Sequence, residues 1–229
     1  MIHDKREFAI GAALMAVFVA ALVVVFSPIF GDGKNLLDTL DGVFNSVSKA
    51  SAYYVPASRE KARKVEGASV AVQIGAKGRG QAARMEKLLR AAGASVSVDG
   101  ESLKASGDLG AILRAALADA DAMFGNDGAA VAARYGIEGR SALYAWHVAL
   151  SEMTKDLNRQ QRFAEAAAVR DAVTRSIEPA YNYYGVTAVS MRHMIWVALG
   201  ALVGYVAYTL CYGYAILFLF EGWGLKLEH

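Results

Sequence analysis

The stretch VAVQIGAKGRGQAARMEKLLRAAGASVSVDG, residues 70–100, decides the fold of the middle of this chain. It opens with a short apolar run that is typical of a strand, and a glycine-rich loop follows. The next part places Met85, Leu88 and Leu89 on one face of a helix. Residues 94–98 form a second strand-like run that ends at an Asp-Gly pair, which is typical of a tight hairpin. The stretch therefore predicts a strand, a helix and a second strand that turns back.

The residues that follow extend this unit. A short third strand is predicted after the turn, and Asp108 is placed to cap a helix over 109–124. The apolar residues expected to face inward on this helix are Ile112, Leu113, Ala116 and Leu117. A further helical region is predicted at 140–178, either as one interrupted helix or as a helical hairpin, with Pro179 as its stop. The sequence thus predicts an α/β (α+β) domain, with a β-α-β-β-α core near 68–124 and a helical extension.

The glycine-rich loop resembles a dinucleotide-binding turn only in outline. Gly75, Gly78 and Gly80 follow a G-x-x-G-x-G spacing, whereas that motif has G-x-G-x-x-G. The acidic residue after the second strand belongs to the Asp-Gly turn, and no third parallel strand follows, so we expect no nucleotide or other cofactor. Lys77 and Arg79 at the helix start are a candidate anion-binding pair. We favour the simpler interpretation, which is two solvated charges in a loop.

Two long apolar stretches, 8–31 and 194–220, contain no charged residue. At about 1.5 Å of rise per residue, each helix is longer than the roughly 30 Å of a bilayer core. They predict transmembrane helices at 8–31 and 192–220, with the lipid bilayer as a partner. The first is interpreted as an uncleaved anchor, because its apolar run is too long for a signal peptide. Short tails are predicted at 1–7 and 221–229, and the second tail ends in LEH, which resembles the remnant of an expression tag.

The charges next to the first apolar stretch predict an orientation. Lys5 and Arg6 directly precede it, and short basic tails are retained in the cytoplasm. Two spans place both tails on one side and residues 32–191 on the other. We therefore expect a two-pass protein of the cell (inner) membrane whose bulk is an extracytoplasmic, periplasmic domain.

The composition and the motifs exclude several classes of function. The formal net charge is +2 and the basic and acidic residues of 32–191 nearly balance, so no nucleic-acid partner is expected. Cys211 is the single cysteine, which excludes an intrachain disulfide and a cysteine-based metal site. The histidines are scattered, and no serine-hydrolase or zinc-protease motif occurs. We therefore expect a non-enzymatic protein without a metal.

The second apolar stretch carries a candidate helix-packing surface. Small residues at these spacings let helix backbones approach in lipid, and tyrosine hydroxyls there need protein partners. The surface comprises Gly200, Gly204, Tyr205, Ala207, Tyr208, Cys211 and Tyr212. We expect a homo-oligomer whose extracytoplasmic domain serves assembly or holds a partner. The alternatives are a small oligomeric channel lined by the second helix, and an accessory subunit of a larger membrane complex, for example a respiratory one.

Overall fold

The computed structural model describes residues 2–225, apart from the side chain of His193. The chain divides into two compact units, Ser48–Thr187 and the combination of Met1–Val47 with Ala188–His229. The fold is mixed α+β and about 70% helical, which confirms the predicted class in its coarse form. The last four residues of the predicted C-terminal tail, including the tag-like end, lie outside the described part of the chain.

Helices and strands follow one another along the chain with short connections. A π-helical turn at Val173–Ile177 separates the eighth and ninth helices. In chain order the elements are α1 (Lys5–Phe26), α2 (Leu36–Ser51), α3 (Val55–Arg63), β1 (Ser69–Gly75), α4 (Arg79–Ala91), β2 (Ser95–Asp99), β3 (Ser102–Asp108), α5 (Leu109–Phe124), α6 (Gly128–Tyr135), α7 (Gly139–Arg159), α8 (Phe163–Ala172), α9 (Glu178–Asn182) and α10 (Met191–Gly222).

The three strands form one antiparallel sheet in the order β1-β3-β2. Leu103 of β3 lies opposite Ile74 on one side and opposite Val98 on the other. The predicted β-α-β-β-α order is confirmed. However, β3 separates β1 from β2, so these two strands do not form the adjacent parallel pair of a dinucleotide-binding sheet. The hairpin loop consists of Gly100 and Glu101, and the φ of Gly100 is +62°, a region that favours glycine.

One face of this sheet packs against α4, α5 and α7. The apolar residues of β1 alternate inward, and Trp146 of α7 is fully buried in the core. Asp108 caps α5 as predicted, since its carboxylate accepts the N–H of Gly110 at 2.9 Å. The helix residues expected to face inward are all buried, namely Met85, Leu88, Leu89, Ile112, Leu113, Ala116 and Leu117. Hydrophobic periodicity therefore located this core correctly.

The helical extension is a hairpin and does not end where we predicted. The helix is interrupted between α7 and α8 at Gln161, whose φ is +60°. The two helices pack on each other. Pro179 does not stop the helix. It occupies the first turn of α9, which follows directly on the π-helical turn. Proline is accepted there because the first turn of a helix does not require its N–H as a donor.

Two short helices, α3 and α6, were not predicted. In α3, Pro56 lies in the first turn. Three residues of this charged segment, Val55, Ser58 and Ala62, are buried, although the segment has the composition of a solvated loop. In α6, the Asp127 carboxylate accepts the N–H of Ala130 at 3.0 Å, and Gly136 ends the helix with a φ of +60°. Both helices are too short for a periodic apolar pattern to reveal them.

Within residues 2–225, two helices, α1 and α10, are long and apolar enough to cross a membrane. In the most apolar 18 residues of each helix, 6% of the residues of α1 and none of those of α10 are buried. The two helices therefore do not behave as core helices of a water-soluble domain. α1 begins one residue after Asp4, whose carboxylate caps it, and ends at Phe26. The last part of the predicted span, 27–31, lies beyond this helix, because Pro28 disfavours helical backbone at the residue before it.

Candidate interaction surfaces

The contact between α1 and α10 is built on glycine. A Cβ atom at Gly11 would lie 2.6 Å from the backbone nitrogen of Leu219 and 3.0 Å from the carbonyl oxygen of Ala215. A Cβ atom at Gly222 would lie 2.6 Å from the backbone nitrogen of Phe8. Only glycine lets the two backbones approach this closely. A glycine-based helix contact therefore exists within the chain, at positions that the sequence analysis did not single out.

Three of the predicted packing residues of α10 also contact α1. The rings of Tyr208 and Tyr212 lie against Phe18, with centroid separations of 4.6 and 4.8 Å. The Cys211 sulfur lies 3.5 Å from the carbonyl oxygen of Leu14. These side chains thus have partners in their own chain, within the pair of apolar helices.

Gly200, Gly204 and Tyr205 lie elsewhere on α10, along an apolar groove of about 660 Å³. The last turns of α1, the first half of α10 and the first turns of α2 line it. Beyond its own helix, no described atom lies within 4 Å of a Cβ built at either glycine, and Tyr205 is 66% exposed. Ala207 is exposed and lies outside this lining. The groove is therefore unfilled beside Gly200 and Gly204, where the lack of side chains exposes the backbone of α10.

The glycine-rich loop before α4 is a helix cap. Gly78 has a φ of +100°, and the backbone N–H of Lys77 donates to the side-chain oxygen of Gln81 at 2.6 Å. The side chains of Lys77 and Arg79 are exposed and form no hydrogen bond or ion pair with the described residues. The anion-binding pair therefore stays a prediction, and the positive φ at the helix cap explains Gly78 without a ligand.

Comparison with known protein families, with curated proteins and with solved structures found no match. The site residues therefore have to be assigned from the geometry of this chain alone. Across residues 2–225, no group of three or more histidine, cysteine or acidic side chains is close enough to hold a metal ion.

Asp119 is the centre of a buried polar cluster that the sequence analysis missed. It is fully buried, and it accepts hydrogen bonds from the indole N–H of Trp146 and the hydroxyl of Tyr135, both at 2.7 Å. Arg134 also pairs with this carboxylate. Burial raises the pKa of Asp119, against the opposing effect of these donors. Burial and the bond to Asp119 raise the pKa of Tyr135 to about 12. Every member has a partner, so the cluster fixes α5, α6 and α7 together.

Lys49 is a second buried charge and lies at the start of the globular unit. Its ammonium group donates to the side-chain oxygen of Asn126 at 2.9 Å and to the carbonyl oxygens of Tyr183 and Val186 at 3.0 and 2.7 Å. It also lies 5.1 Å from the ring centre of Phe124. Burial lowers the pKa of Lys49. The cluster ties the beginning of the unit to its end, which is a structural role.

The sheet face opposite the helices is uncovered and carries small polar side chains. A shallow trough of about 810 Å³ lies over it. Lys104 is the single basic residue among the strand residues on this face. In register, the rows across β1, β3 and β2 are Ala71–Ser106–Ser95, Gln73–Lys104–Ser97 and Gly75–Ser102–Asp99. The face is smooth and polar, and no single ligand chemistry stands out in it.

The outer edge of β1 is closed by side chains of the helical hairpin. The Asp156 carboxylate accepts the N–H of Gln73 at 3.0 Å, and the Gln160 amide donates to the carbonyl oxygen of Ala71 at 2.8 Å. Arg162 donates to the carbonyl oxygen of the first residue of the strand at 2.8 Å. Covering an edge strand in this way prevents it from pairing with another chain.

The outer edge of β2 is left open. Ser97 bonds to β3, so in an antiparallel ladder its neighbours Val96 and Val98 direct their N–H and C=O groups outward. Among the described residues, Arg90 alone reaches one of these groups, the carbonyl oxygen of Val96, at 2.5 Å. Val98 is 40% exposed. The two edges of the sheet therefore differ sharply in their protection.

Proposed function

We propose that this chain is a non-enzymatic membrane protein with two spanning helices, α1 and α10, that assembles into a homo-oligomer. Its Ser48–Thr187 unit lies on the extracytoplasmic side of the membrane and serves assembly or holds a partner. The basic residues before α1 support this orientation.

The observation that carries the proposal is the open groove along Gly200 and Gly204. Glycine pairs in membrane helices allow a neighbouring backbone to approach and gain dispersion contacts. In this chain α1 uses other glycines for that purpose, at Gly11 and Gly222. The groove is therefore available to a helix of a second copy.

The test is the double variant Gly200→Ile and Gly204→Ile, followed by mass measurement of the purified protein in detergent. Overpacking costs roughly 1–3 kcal/mol per site, and that cost recurs at each contact between copies. We expect a smaller particle whose globular unit stays folded by circular dichroism.

Gly213→Ile is the matched control. Gly213 also has no described atom beyond its own helix within 4 Å of a built Cβ. It lies nine residues after Gly204 and therefore on the opposite face of α10, at about 100° per residue. The control should leave the mass unchanged. An unchanged mass in the double variant as well would show that the groove is not the contact between copies.

The two alternatives predict different behaviour of the same sample. An accessory subunit would not form a discrete particle when purified alone, whereas a homo-oligomer would. A channel would conduct ions in liposomes. The contacts of Tyr208 and Tyr212 with Phe18 support packing of these rings over pore lining.

A further inference from the structure

The open edge of β2 has the geometry of a self-pairing strand. Val96 and Val98 point their backbone groups outward, and Ser97 lies between them. If a second copy of β2 pairs antiparallel with Ser97 opposite Ser97, each Val96 faces the Val98 of the other copy. That register forms hydrogen-bonded pairs at both valines and covers the exposed side chain of Val98.

The flank of α4 beside this edge has a matching charge pattern. Arg90 bonds to the carbonyl oxygen of Val96, so it lies level with that residue. Glu86 is one turn earlier in α4 and forms an ion pair with Arg90 at 2.9 Å. In the Ser97-centred register the two α4 helices run antiparallel on the same face of the sheet. Glu86 of each copy then faces Arg90 of the other, so the flank is complementary to itself.

We propose that β2 pairs with β2 of a second copy around a two-fold axis at Ser97, which forms a continuous six-stranded antiparallel sheet. This inference rests on the proposed homo-oligomer and names the surface of the globular unit that takes part in it. A two-fold contact uses the same patch on both partners, which the valine register and the Glu86–Arg90 pattern both satisfy. The closed edge of β1 ends the sheet on either side.

The test is disulfide formation by Ser97→Cys in the full-length protein, in a Cys211→Ala background and in detergent. Directly opposite residues of a non-hydrogen-bonded antiparallel pair have Cα atoms about 4.5 Å apart, within the range for a disulfide. We expect a covalent dimer on mild oxidation, visible on a non-reducing gel and lost on reduction.

Lys104→Cys in the same background is the matched control. Lys104 is exposed on the same face and in the same row as Ser97, one strand further from the axis. Two copies of this position would be separated by three strand spacings, about 14 Å, which is too far for a disulfide. A dimer with Ser97→Cys but not with Lys104→Cys supports the register.

A second variant tests the edge without relying on oxidation. Val98→Lys, added to Ser97→Cys, places a charge on a partly exposed edge residue and should abolish cross-linking while the domain stays folded. If Ser97→Cys fails to cross-link in a particle whose mass is that of an oligomer, β2 pairing is wrong and the homo-oligomer stands. If the particle is a monomer, the proposed function fails with it. If Ser97→Cys in intact membranes links to a different protein, the edge serves a foreign strand.

Discussion

At the scale of single residues, two buried charged groups, Asp119 and Lys49, are held by hydrogen bonds from or to several partners. Asp119 accepts from Trp146, Tyr135 and Arg134, and these partners come from two other helices. Removing one partner of a buried charge costs about 3–5 kcal/mol, because the remaining groups are left unsatisfied. Such a cluster therefore specifies how α5, α6 and α7 fit together.

The Tyr135 hydroxyl predicts a loss of stability at alkaline pH. Its pKa is raised from 10.0 to about 12 in the folded protein, so the folded state keeps a proton that the unfolded state has lost. The contribution is complete below pH 10 and disappears as the pH rises towards 12. Two pKa units correspond to about 2–3 kcal/mol.

Denaturant unfolding of the full-length protein in detergent, measured from pH 9 to 12, checks this prediction. Tyr135→Phe removes the ionisable group, so the fall in the free energy of unfolding should be smaller in this variant than in the wild type. Identical pH profiles would show that the hydroxyl is not held in its neutral form by Asp119.

At the scale of elements, the positions of small residues determine where α1 and α10 contact each other. The hydrophobicity of the two helices has less influence on that position. Both helices are apolar over most of their length, yet the backbones touch at Gly11 and Gly222 and not at Gly200, which lies on nearly the same face of α10 as Gly222. Hydrophobicity does not choose a face between two helices in lipid, since the tails are equally apolar. Close packing of small residues therefore decides where along the helices the backbones touch, and the ring contacts with Phe18 extend this contact.

Gly11→Ile should therefore open the contact between α1 and α10. The new side chain would meet the backbone of α10, and overpacking of this kind costs roughly 1–3 kcal/mol. Cys211 lies in the same contact, so its thiol should react faster with a maleimide in detergent. Ala13→Ile is the control, because Ala13 is exposed on α1. Equal alkylation rates in both variants and the wild type would contradict the glycine contact.

At the scale of the whole molecule, the chain combines an apolar helix pair with a separate globular unit, Ser48–Thr187. The sheet face of that unit is polar and uncovered, as expected for a surface in contact with water. The proposed membrane orientation therefore predicts on which side of the membrane this polar face is accessible.

We expect Lys104→Cys, in a Cys211→Ala background, to react with a membrane-impermeant thiol reagent in intact spheroplasts. Lys104 is exposed on the open sheet face, so access of the reagent depends on the side of the membrane alone. Lys5→Cys, in the tail before α1, is the opposite control and should react only after lysis. The reverse pattern would place the globular unit in the cytoplasm.

The sequence by itself determined the features that depend on neighbours along the chain. The apolar lengths located α1 and α10, the short apolar run at 70–74 located β1, and Asp108 with the inward residues of α5 located that helix and its cap. These signals are local, because a strand, a helix or a cap is stabilised by residues a few positions apart.

Tertiary structure alone decided the features that join distant residues. Packing between separate elements placed β3 between β1 and β2 and buried Lys49 and Asp119. It also put the backbone contact of α10 with α1 at Gly222 and not at Gly200. Pro179 is a further example. The sequence predicted that this proline ends the helix, whereas in the structure it lies in the first turn of α9, directly after a π-helical turn. The open edge of β2 emerged in the same way, because an edge is exposed only once the other strands and helices have taken their places.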